Sequence, residues 1–188
     1  RFNVLGWSWG GFVAQTFLVE YPQRVATAIL VGTNPPGKKE HPIQQVFLER
    51  AFKPVNDLAD EEVLFFEPRS EASRKAARES HDRIHARPDV DSRIPSLQEE
   101  IQGYVDALAS YRDDSRNWRD ALTRTRIPIQ IICGDNDTSN PAANWYPLIG
   151  RMPTAQMIIY PASGHGPQHQ HPELSARYIA AFVAFATE

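Results

Sequence analysis

Short runs of apolar residues, each bounded by turn-forming residues, divide this chain into alternating segments. A continuous apolar run of about four to eight residues is typical of a strand that is buried on both faces of a parallel sheet. An amphipathic segment or a cluster of helix-breaking residues follows each run. The pattern predicts four strands, at Phe2–Leu5, Val25–Val31, Ile127–Cys133 and Ala155–Tyr160.

Apolar residues also recur at helical spacing between and after these strands. Residues 10–21 have such a spacing, and Pro22 ends the predicted helix because proline disfavours helical geometry in the residue before it. Asn140 and Pro141 indicate the start of another helix, and residues 172–186 predict a closing helix that covers the sheet. Strand, helix and strand in succession form a right-handed crossover, so we predict an α/β fold with a mostly parallel sheet and flanking helices.

The stretch between the second and third predicted strands has a different character. From His41 to about Thr125 the sequence contains almost no strand-like run. Helical spacing is clearest after a loop at residues 91–95, in a stripe of Leu97, Ile101, Tyr104, Val105, Leu108 and Tyr111. We interpret residues 38–122 as a helical insertion into a core of residues 1–37 and 123–188. A separate helical domain is the alternative, but the strand pattern resumes afterwards as though uninterrupted.

Composition and charge narrow the classes of function. The 188 residues are 41% hydrophobic and 23% charged, which suits one soluble globular domain. A net charge of -3 gives no reason to expect nucleic acid or an anionic membrane surface as a partner, and no apolar run is long enough to span a bilayer. The single cysteine, Cys133, excludes an intramolecular disulfide and fits a reducing compartment, so a cytoplasmic location is expected.

The most distinctive local motif joins the first strand to the first helix. Gly6-Trp7-Ser8-Trp9-Gly10 follows the strand and leads directly into the amphipathic segment. So tight a turn forces strained backbone angles on Ser8, whose side chain then projects above the edge of the sheet. Gly6 and Gly10 have no Cβ, which we expect to prevent a clash between strand and helix. A plain glycine-serine loop is the alternative interpretation of this motif alone.

Two further polar residues follow later strands, Asp137 after the third and His165 after the fourth. The carboxyl ends of parallel strands lie at one edge of a sheet, where ligands bind, so these side chains should meet Ser8. A serine hydroxyl is a weak nucleophile that needs a base, and the base needs an anion to fix its tautomer. The three residues therefore indicate nucleophilic catalysis.

Three motifs in this order resemble the α/β-hydrolase superfamily, from the nucleophile strand onward: GWSWGG, IICGDNDTSNP and YPASGHGPQHQHPE. The resemblance covers essentially the whole chain. It implies that Ser8 is the nucleophile, His165 the general base and acid, and Asp137 the orienting acid. It also implies that the backbone N–H of Trp9 is an oxyanion donor and that the insertion at 38–122 is a cap over the site. No cofactor is implied.

Several of these assignments have a competitor. Asp135 is also acidic, but the family's usual spacing from the strand-ending Gly134 selects Asp137, which leaves Asp135 as a turn former that bonds its own backbone. Some relatives place the acid after the preceding strand, where this chain has Thr33 and Asn34. Neither of those residues is acidic.

The histidines raise the question of a metal. His165, His169 and His171 lack the spacing of a zinc motif, so we predict no metal there and expect His169 and His171 at the surface. His41, His81 and His85 lie in polar surroundings and are expected to be solvated, while Cys133 is expected in the core.

The resemblance favours a carboxylesterase-like enzyme that transfers the acyl group of a small, apolar ester to water, with Trp7 and Asn34 as predicted pocket residues. Carbon–carbon bond hydrolysis, lactone opening and perhydrolysis use the same residues, and a non-catalytic ligand receptor on this fold is a further alternative. Members of the superfamily have strands before the nucleophile strand, and one of those early loops supplies a second oxyanion donor. We expect those strands and that donor to be missing from this chain, which alone should have little esterase activity.

Overall fold

One parallel sheet forms the centre of the fold. The structure is a computed structural model that describes residues 1–93 and 98–186. Within these ranges the sheet has the strand order β1-β2-β3-β4. The strands are β1 (Phe2–Trp7), β2 (Val25–Val31), β3 (Ile129–Gly134) and β4 (Ala155–Tyr160). The predicted α/β class and the parallel sheet are confirmed. β3 begins two residues later than predicted, after Pro128, because proline has no N–H to donate to a neighbouring strand.

Helices cover the sheet and fill the connections. They are α1 (Trp9–Glu20), α2 (Gln45–Ala51), α3 (Leu58–Phe65), α4 (Glu71–His85), α5 (Gln98–Ala107), α6 (Ala109–Arg112), α7 (Trp118–Arg124), α8 (Pro167–Gln170) and α9 (Pro172–Ala186). Short 3-10 segments lie at Pro22–Arg24, Asp91–Arg93 and Ala142–Leu148. In the described ranges, none of the helices combines the length and the apolar character needed to cross a membrane.

The two central strands are buried on both faces. Leu30 and Ile131 pack with α1 and the 142–148 segment on one face, while Ile29 and Ile132 pack against α9 on the other. Burial on both faces explains why the sequences of β2 and β3 are nearly continuous apolar runs. β1 lies at the edge of the sheet, and its Leu5 side chain is 53% exposed.

The connection between β2 and β3 contains helices α2–α7 and, within the described ranges, no strand. Of the predicted apolar stripe, Tyr111 is buried against Phe12 and Trp118, which attaches this connection to α1. Leu97 lies outside the described residues, as does the end of the predicted 91–95 loop. This connection also contacts the loops that follow β3 and β4. The N–H of Gln44, just before α2, donates to the carbonyl oxygen of Thr138 at 2.9 Å. The carbonyl of Phe65, at the end of α3, accepts from the Gly166 N–H at 2.7 Å.

The helix predicted after Pro141 differs from expectation. Residues Ala142–Leu148 form a 3-10 segment with Pro147 inside it, rather than an α-helix. Proline lacks the N–H that an α-helix interior uses, so a longer regular helix is disfavoured here. Trp145 and Leu148 still reach the core, as the apolar spacing indicates.

Candidate active site

Ser8 lies on a strained turn between β1 and α1. Its backbone angles are φ 54° and ψ −118°, in a region that residues with a side chain rarely adopt. Two hydrogen bonds hold this conformation, from the Ser8 N–H to the Val31 carbonyl and from the Gly11 N–H to the Ser8 carbonyl, both 2.9 Å long. The turn therefore has the geometry that the sequence motif predicts.

The two glycines of the turn have different roles. A Cβ on Gly6 would lie 2.0 Å from the carbonyl oxygen of Gly10, so only glycine fits at position 6. A Cβ on Gly10 would have no heavy atom within 4 Å. The prediction that Gly10 must also lack a Cβ is wrong, because a Cβ at this position of α1 would point into open space.

This difference gives a matched pair of variants. Gly6→Ala should lower the free energy of unfolding by about 3 kcal/mol or more, because a backbone clash cannot be relieved by rotating a side chain. Gly10→Ala should stay within about 1 kcal/mol of the parent protein, since alanine suits a helix better than glycine. Urea unfolding of both variants measures the difference. Equal stabilities would show that the turn does not have this geometry.

His165 joins Ser8 to Asp137. Its Nε2 lies 2.8 Å from the Ser8 Oγ, and its Nδ1 lies 2.8 Å from Oδ2 of Asp137. Because a carboxylate can only accept, Nδ1 carries the proton of the neutral ring, and Nε2 is left to accept from the serine hydroxyl. The His165 side chain is only 2% exposed. The structure thus brings together the three residues that the sequence singles out.

Asp137 is buried and fully hydrogen-bonded. Its Oδ1 accepts from the backbone N–H groups of Ser139 at 2.8 Å and Asn140 at 2.7 Å, which leaves Oδ2 for His165. Burial works to raise the pKa of Asp137, but the facing His165 and the two backbone donors outweigh it and hold the pKa below its usual value. The carboxyl group is therefore ionised beside the histidine at neutral pH.

Asp135 has a different role from the one expected. Its carboxylate accepts from the N–H groups of Ala162 and Ser163, both at 3.0 Å, on the loop that leads to His165. The prediction that Asp135 bonds its own part of the backbone is wrong, because the loop after β4 lies closer to its carboxylate. Asp135 thus ties the loop that carries Asp137 to the loop that carries His165.

Asn34 is part of a buried amide network rather than a pocket wall. It is 0% exposed, its Nδ2 donates to Asn140 Oδ1 at 2.7 Å, and its Oδ1 accepts from Asn144 Nδ2 at 3.2 Å. Asn140 in turn donates from Nδ2 to the Gly32 carbonyl at 3.0 Å. This burial contradicts the predicted pocket role of Asn34. The network fixes the Asp137 loop against the end of β2, a role that sequence reasoning missed for Asn140 and Asn144.

Lys39 lies beside the same network. Its Nζ is 3.4 Å from Asn140 Oδ1 and 5.5 Å from the centre of the Phe12 ring. Burial lowers the pKa of Lys39 to about 8, with Arg112 adding to the effect and Asp137 opposing it. Lys39 is therefore charged at neutral pH in surroundings that disfavour the charge, which lowers the free energy of unfolding.

Replacing this lysine should stabilise the protein. The folded-state pKa of Lys39 of about 8 lies below the unfolded value, so between these two values the unfolded state binds more protons and stability rises with pH. Lys39→Met should add about 1–3 kcal/mol to the free energy of unfolding near neutral pH, and the gain should shrink above about pH 10. Urea unfolding at both pH values checks this, with the exposed Lys38→Met as the control. A gain that does not change with pH would rule out the lysine charge as its cause.

An aromatic cavity adjoins His165. It has a volume of about 460 Å³. The predicted pocket residue Trp7 lines it together with Phe65, and both rings pack against His165, with centroid distances of 5.7 and 6.4 Å. His169, which we expected at the surface, also lines it and lies 4.8 Å from the Trp7 ring. The remaining lining residues are Ala51, Lys53, Pro54, Val55, Asn56, Glu61, Phe66, Ser80, Ile84 and His85.

Trp7 and Cys133 occupy fixed positions around this site. The Trp7 Nε1 donates to the His165 carbonyl at 2.8 Å, so Trp7 both walls the cavity and holds the histidine loop. Cys133 is buried in the core as predicted, and burial raises the pKa of its thiol. The thiol is therefore protonated and is not activated as a nucleophile.

Comparisons with known proteins identify the family of this chain. Residues 1–172 match the family described as alpha/beta hydrolase fold. A pimeloyl-(acyl-carrier protein) methyl ester esterase of Aromatoleum aromaticum is 28% identical over 177 residues, which are 90% of this chain and 69% of that protein. A 2-hydroxy-6-oxononadienedioate/2-hydroxy-6-oxononatrienedioate hydrolase of Cupriavidus pinatubonensis is 25% identical over 191 residues, 97% of this chain and 62% of that one.

The solved structures show the same fold. An alpha/beta hydrolase fold protein from Chitinophaga pinensis superimposes with a TM-score of 0.75 at 25% identity, over 97% of this chain and 65% of that protein. This chain therefore spans about two thirds of the length of the proteins it matches. The family match, the sheet and the order of the three motifs agree, and the chain belongs to the α/β hydrolase fold family.

Proposed function

We propose that this protein is a serine hydrolase in which Ser8 is the nucleophile, His165 the general base and acid, and Asp137 the orienting acid. The observation that carries the proposal is the continuous line of hydrogen bonds from Ser8 Oγ through both ring nitrogens of His165 to Asp137, with each contact 2.8 Å long. Nucleophile, base and orienting anion within hydrogen-bond reach form the arrangement that activates a serine hydroxyl.

The reaction follows from this arrangement. His165 Nε2 takes the proton of Ser8 as Oγ attacks the carbonyl carbon of the ester, and Asp137 stabilises the resulting imidazolium. His165 then gives the proton to the departing alcohol, which leaves an acyl group on Ser8. Water, deprotonated by His165, attacks this acyl group and releases the acid and free Ser8.

Negative charge develops on the carbonyl oxygen during both attacks. Trp9 begins α1 directly after Ser8, so its backbone N–H is at the positive end of a helix of 12 residues. We assign Trp9 N–H as one oxyanion donor, a contribution of about 3 kcal/mol to the transition state for a typical donor.

The proposed substrate is a small ester with an apolar acyl group. The cavity falls in the usual size range for small-molecule sites, about 300–1,000 Å³. Ser8 and His165 are not among its lining residues, but two of the rings that line it, Trp7 and Phe65, pack against His165. The rings of Phe47 in α2 and Phe65 in α3 both pack against the His165 ring, with centroid distances of 5.6 and 6.4 Å. Both residues belong to the insertion. These contacts support the proposal that residues 38–122 form a cap over the site.

A second candidate reaction is carbon–carbon bond hydrolysis with the same three residues. The likeness to the 2-hydroxy-6-oxononadienedioate/2-hydroxy-6-oxononatrienedioate hydrolase favours it. A panel of methyl esters, lactones and β-diketones separates the two candidates, because an ester loses an alcohol when the acyl-enzyme forms, whereas a β-diketone loses a ketone.

Labelling with a fluorophosphonate probe tests the proposal directly. The full-length protein should lose activity and carry one phosphonate on the peptide that contains Ser8, while Ser8→Ala should remain unlabelled. Ser110→Ala, at an exposed position in α6, serves as the control and should label normally. If the parent protein does not label, the alternative of a non-catalytic ligand receptor on this fold is favoured instead.

A further inference from the structure

A cluster of potential metal ligands joins two helices of the insertion. Glu61 lies on α3, and His81 and His85 lie on α4, one helical turn apart. Residues four apart project from the same face of a helix, and two histidines at this spacing are a common element of zinc sites. From this arrangement we propose that Glu61, His81 and His85 bind a divalent transition-metal ion such as Zn²⁺.

The distances fit one ion. His81 Nδ1 lies 3.1 Å from Glu61 Oε2, and His85 Nε2 lies 3.3 Å from Glu61 Oε1. One ligand atom from each of the three residues lies within 4.8 Å of the others. Bonds of about 2.0–2.1 Å to a tetrahedral zinc ion place neighbouring ligand atoms roughly 3.3 Å apart. Each ring nitrogen lies at about this distance from one of the two Glu61 oxygens, so small side-chain movements would bring both nitrogens and the carboxylate around a single ion.

An unsatisfied nitrogen gives independent support. His81 Nδ1 is buried and has no hydrogen-bond partner, although Glu61 Oε2 is 3.1 Å away, since the geometry does not suit a hydrogen bond. A buried polar atom without a partner is costly, and a metal ion would satisfy it through its lone pair. His81 and His85, which we expected to be solvated, are partly buried, with side chains 26% and 28% exposed.

The chemistry of the ligands selects the type of metal. Two imidazole nitrogens and one carboxylate suit Zn²⁺ and related first-row ions, whereas Mg²⁺ and Ca²⁺ prefer oxygen ligands alone. Three protein ligands leave a fourth position on a tetrahedral ion. Glu61 and His85 both line the aromatic cavity, so that position would be open to water or to a polar group of a molecule bound there.

The cluster is also connected to His165. Phe65 lies one turn after Glu61 on α3, its ring stacks on His165, and its carbonyl accepts from the Gly166 N–H at 2.7 Å. An ion bound to both helices would hold α3 against α4 and so hold Phe65 over the histidine. The metal proposal does not depend on the proposed hydrolase activity, and its test measures binding.

Metal titration of the full-length protein tests the site. After treatment with a chelator and dialysis, calorimetry should show one equivalent of bound Zn²⁺, and Co²⁺ should give the intense visible absorption of a four-coordinate ion. Mg²⁺ should not bind. Glu61→Gln and His85→Ala should each weaken Zn²⁺ binding at least about tenfold. Replacing a residue that only hydrogen-bonds to a metal ligand already lowers metal affinity by about that factor.

His171→Ala is the matched control, because His171 lies between α8 and α9 and is not in the cluster. It should bind Zn²⁺ like the parent protein, and circular dichroism should show that all variants are folded. If the parent protein does not bind Zn²⁺, the cluster is only a set of ion pairs and the proposal is overturned. Undiminished binding by a His81→Ala/His85→Ala double variant would place the ion elsewhere and overturn it as well.

Discussion

Ser8→Ala is expected to reduce kcat for the best ester substrate by roughly 10⁴- to 10⁶-fold. Removal of the nucleophile in a serine hydrolase leaves only the contribution of substrate binding and of the oxyanion donors. Substrate binding itself should change little, because Ser8 Oγ makes its hydrogen bond to His165 rather than to the cavity wall. Steady-state kinetics of the full-length protein with a p-nitrophenyl ester measure kcat, and the affinity for a product acid measures binding.

The control for this variant is Ser110→Ala, which replaces an exposed serine in the same way. It should retain the kinetics of the parent protein. A Ser8→Ala protein that keeps more than about one hundredth of kcat would contradict the assignment of the nucleophile, since such a residual rate exceeds what the remaining groups supply.

Asp137→Asn is expected to lower kcat by about 10³- to 10⁴-fold with little change in the fold. An amide in place of the carboxylate favours the wrong tautomer of His165 and cannot stabilise the imidazolium. The two backbone N–H groups of Ser139 and Asn140 can still donate to the amide oxygen, which keeps the loop in place. The kinetics of the ester reaction, with circular dichroism to check the fold, measure the effect.

Asp135→Asn is the matched control because it makes the same change two residues away. It weakens the bonds to the N–H groups of Ala162 and Ser163 and to the Asn136 side chain, each worth about 1 kcal/mol, so kcat should fall about tenfold or less. A larger loss for Asp135→Asn than for Asp137→Asn would reverse the assignment of the orienting acid.

The fold could be predicted from the sequence to the extent that burial controls residue type. Strands β2 and β3 are enclosed on both faces, so most of their residues are apolar, and their positions follow from Val25–Val31 and the run after Pro128. The meeting of Ser8, Asp137 and His165 follows from a rule of topology, because the carboxyl ends of parallel strands share one edge.

Contacts between side chains of distant segments could not be predicted in this way. Asp135 and Asp137 are chemically identical and two residues apart, so neither burial pattern nor sheet topology separates them. The family's usual spacing favours Asp137, but the bonds of Asp135 to the loop after β4 could not be foreseen. Nothing in the sequence around Asn34 indicates that it is buried. Its burial follows from hydrogen bonds to Asn140 and Asn144, which lie more than a hundred residues away. The spacing of His81 and His85 is visible in the sequence, but their approach to Glu61 depends on how α3 and α4 pack.

The bond from Trp7 to the His165 carbonyl has a consequence for the order of folding. It joins residues separated by 158 positions, and the Ser8–His165 contact beside it spans 157. Contacts of such long range form only after the intervening chain has lost much of its conformational freedom, so they are slow and late. The β2–α1 and β3–β4 units can form from nearer neighbours first. We therefore expect the contact between Ser8 and His165 to form late in folding, after the strands that carry the two residues have paired with their neighbours.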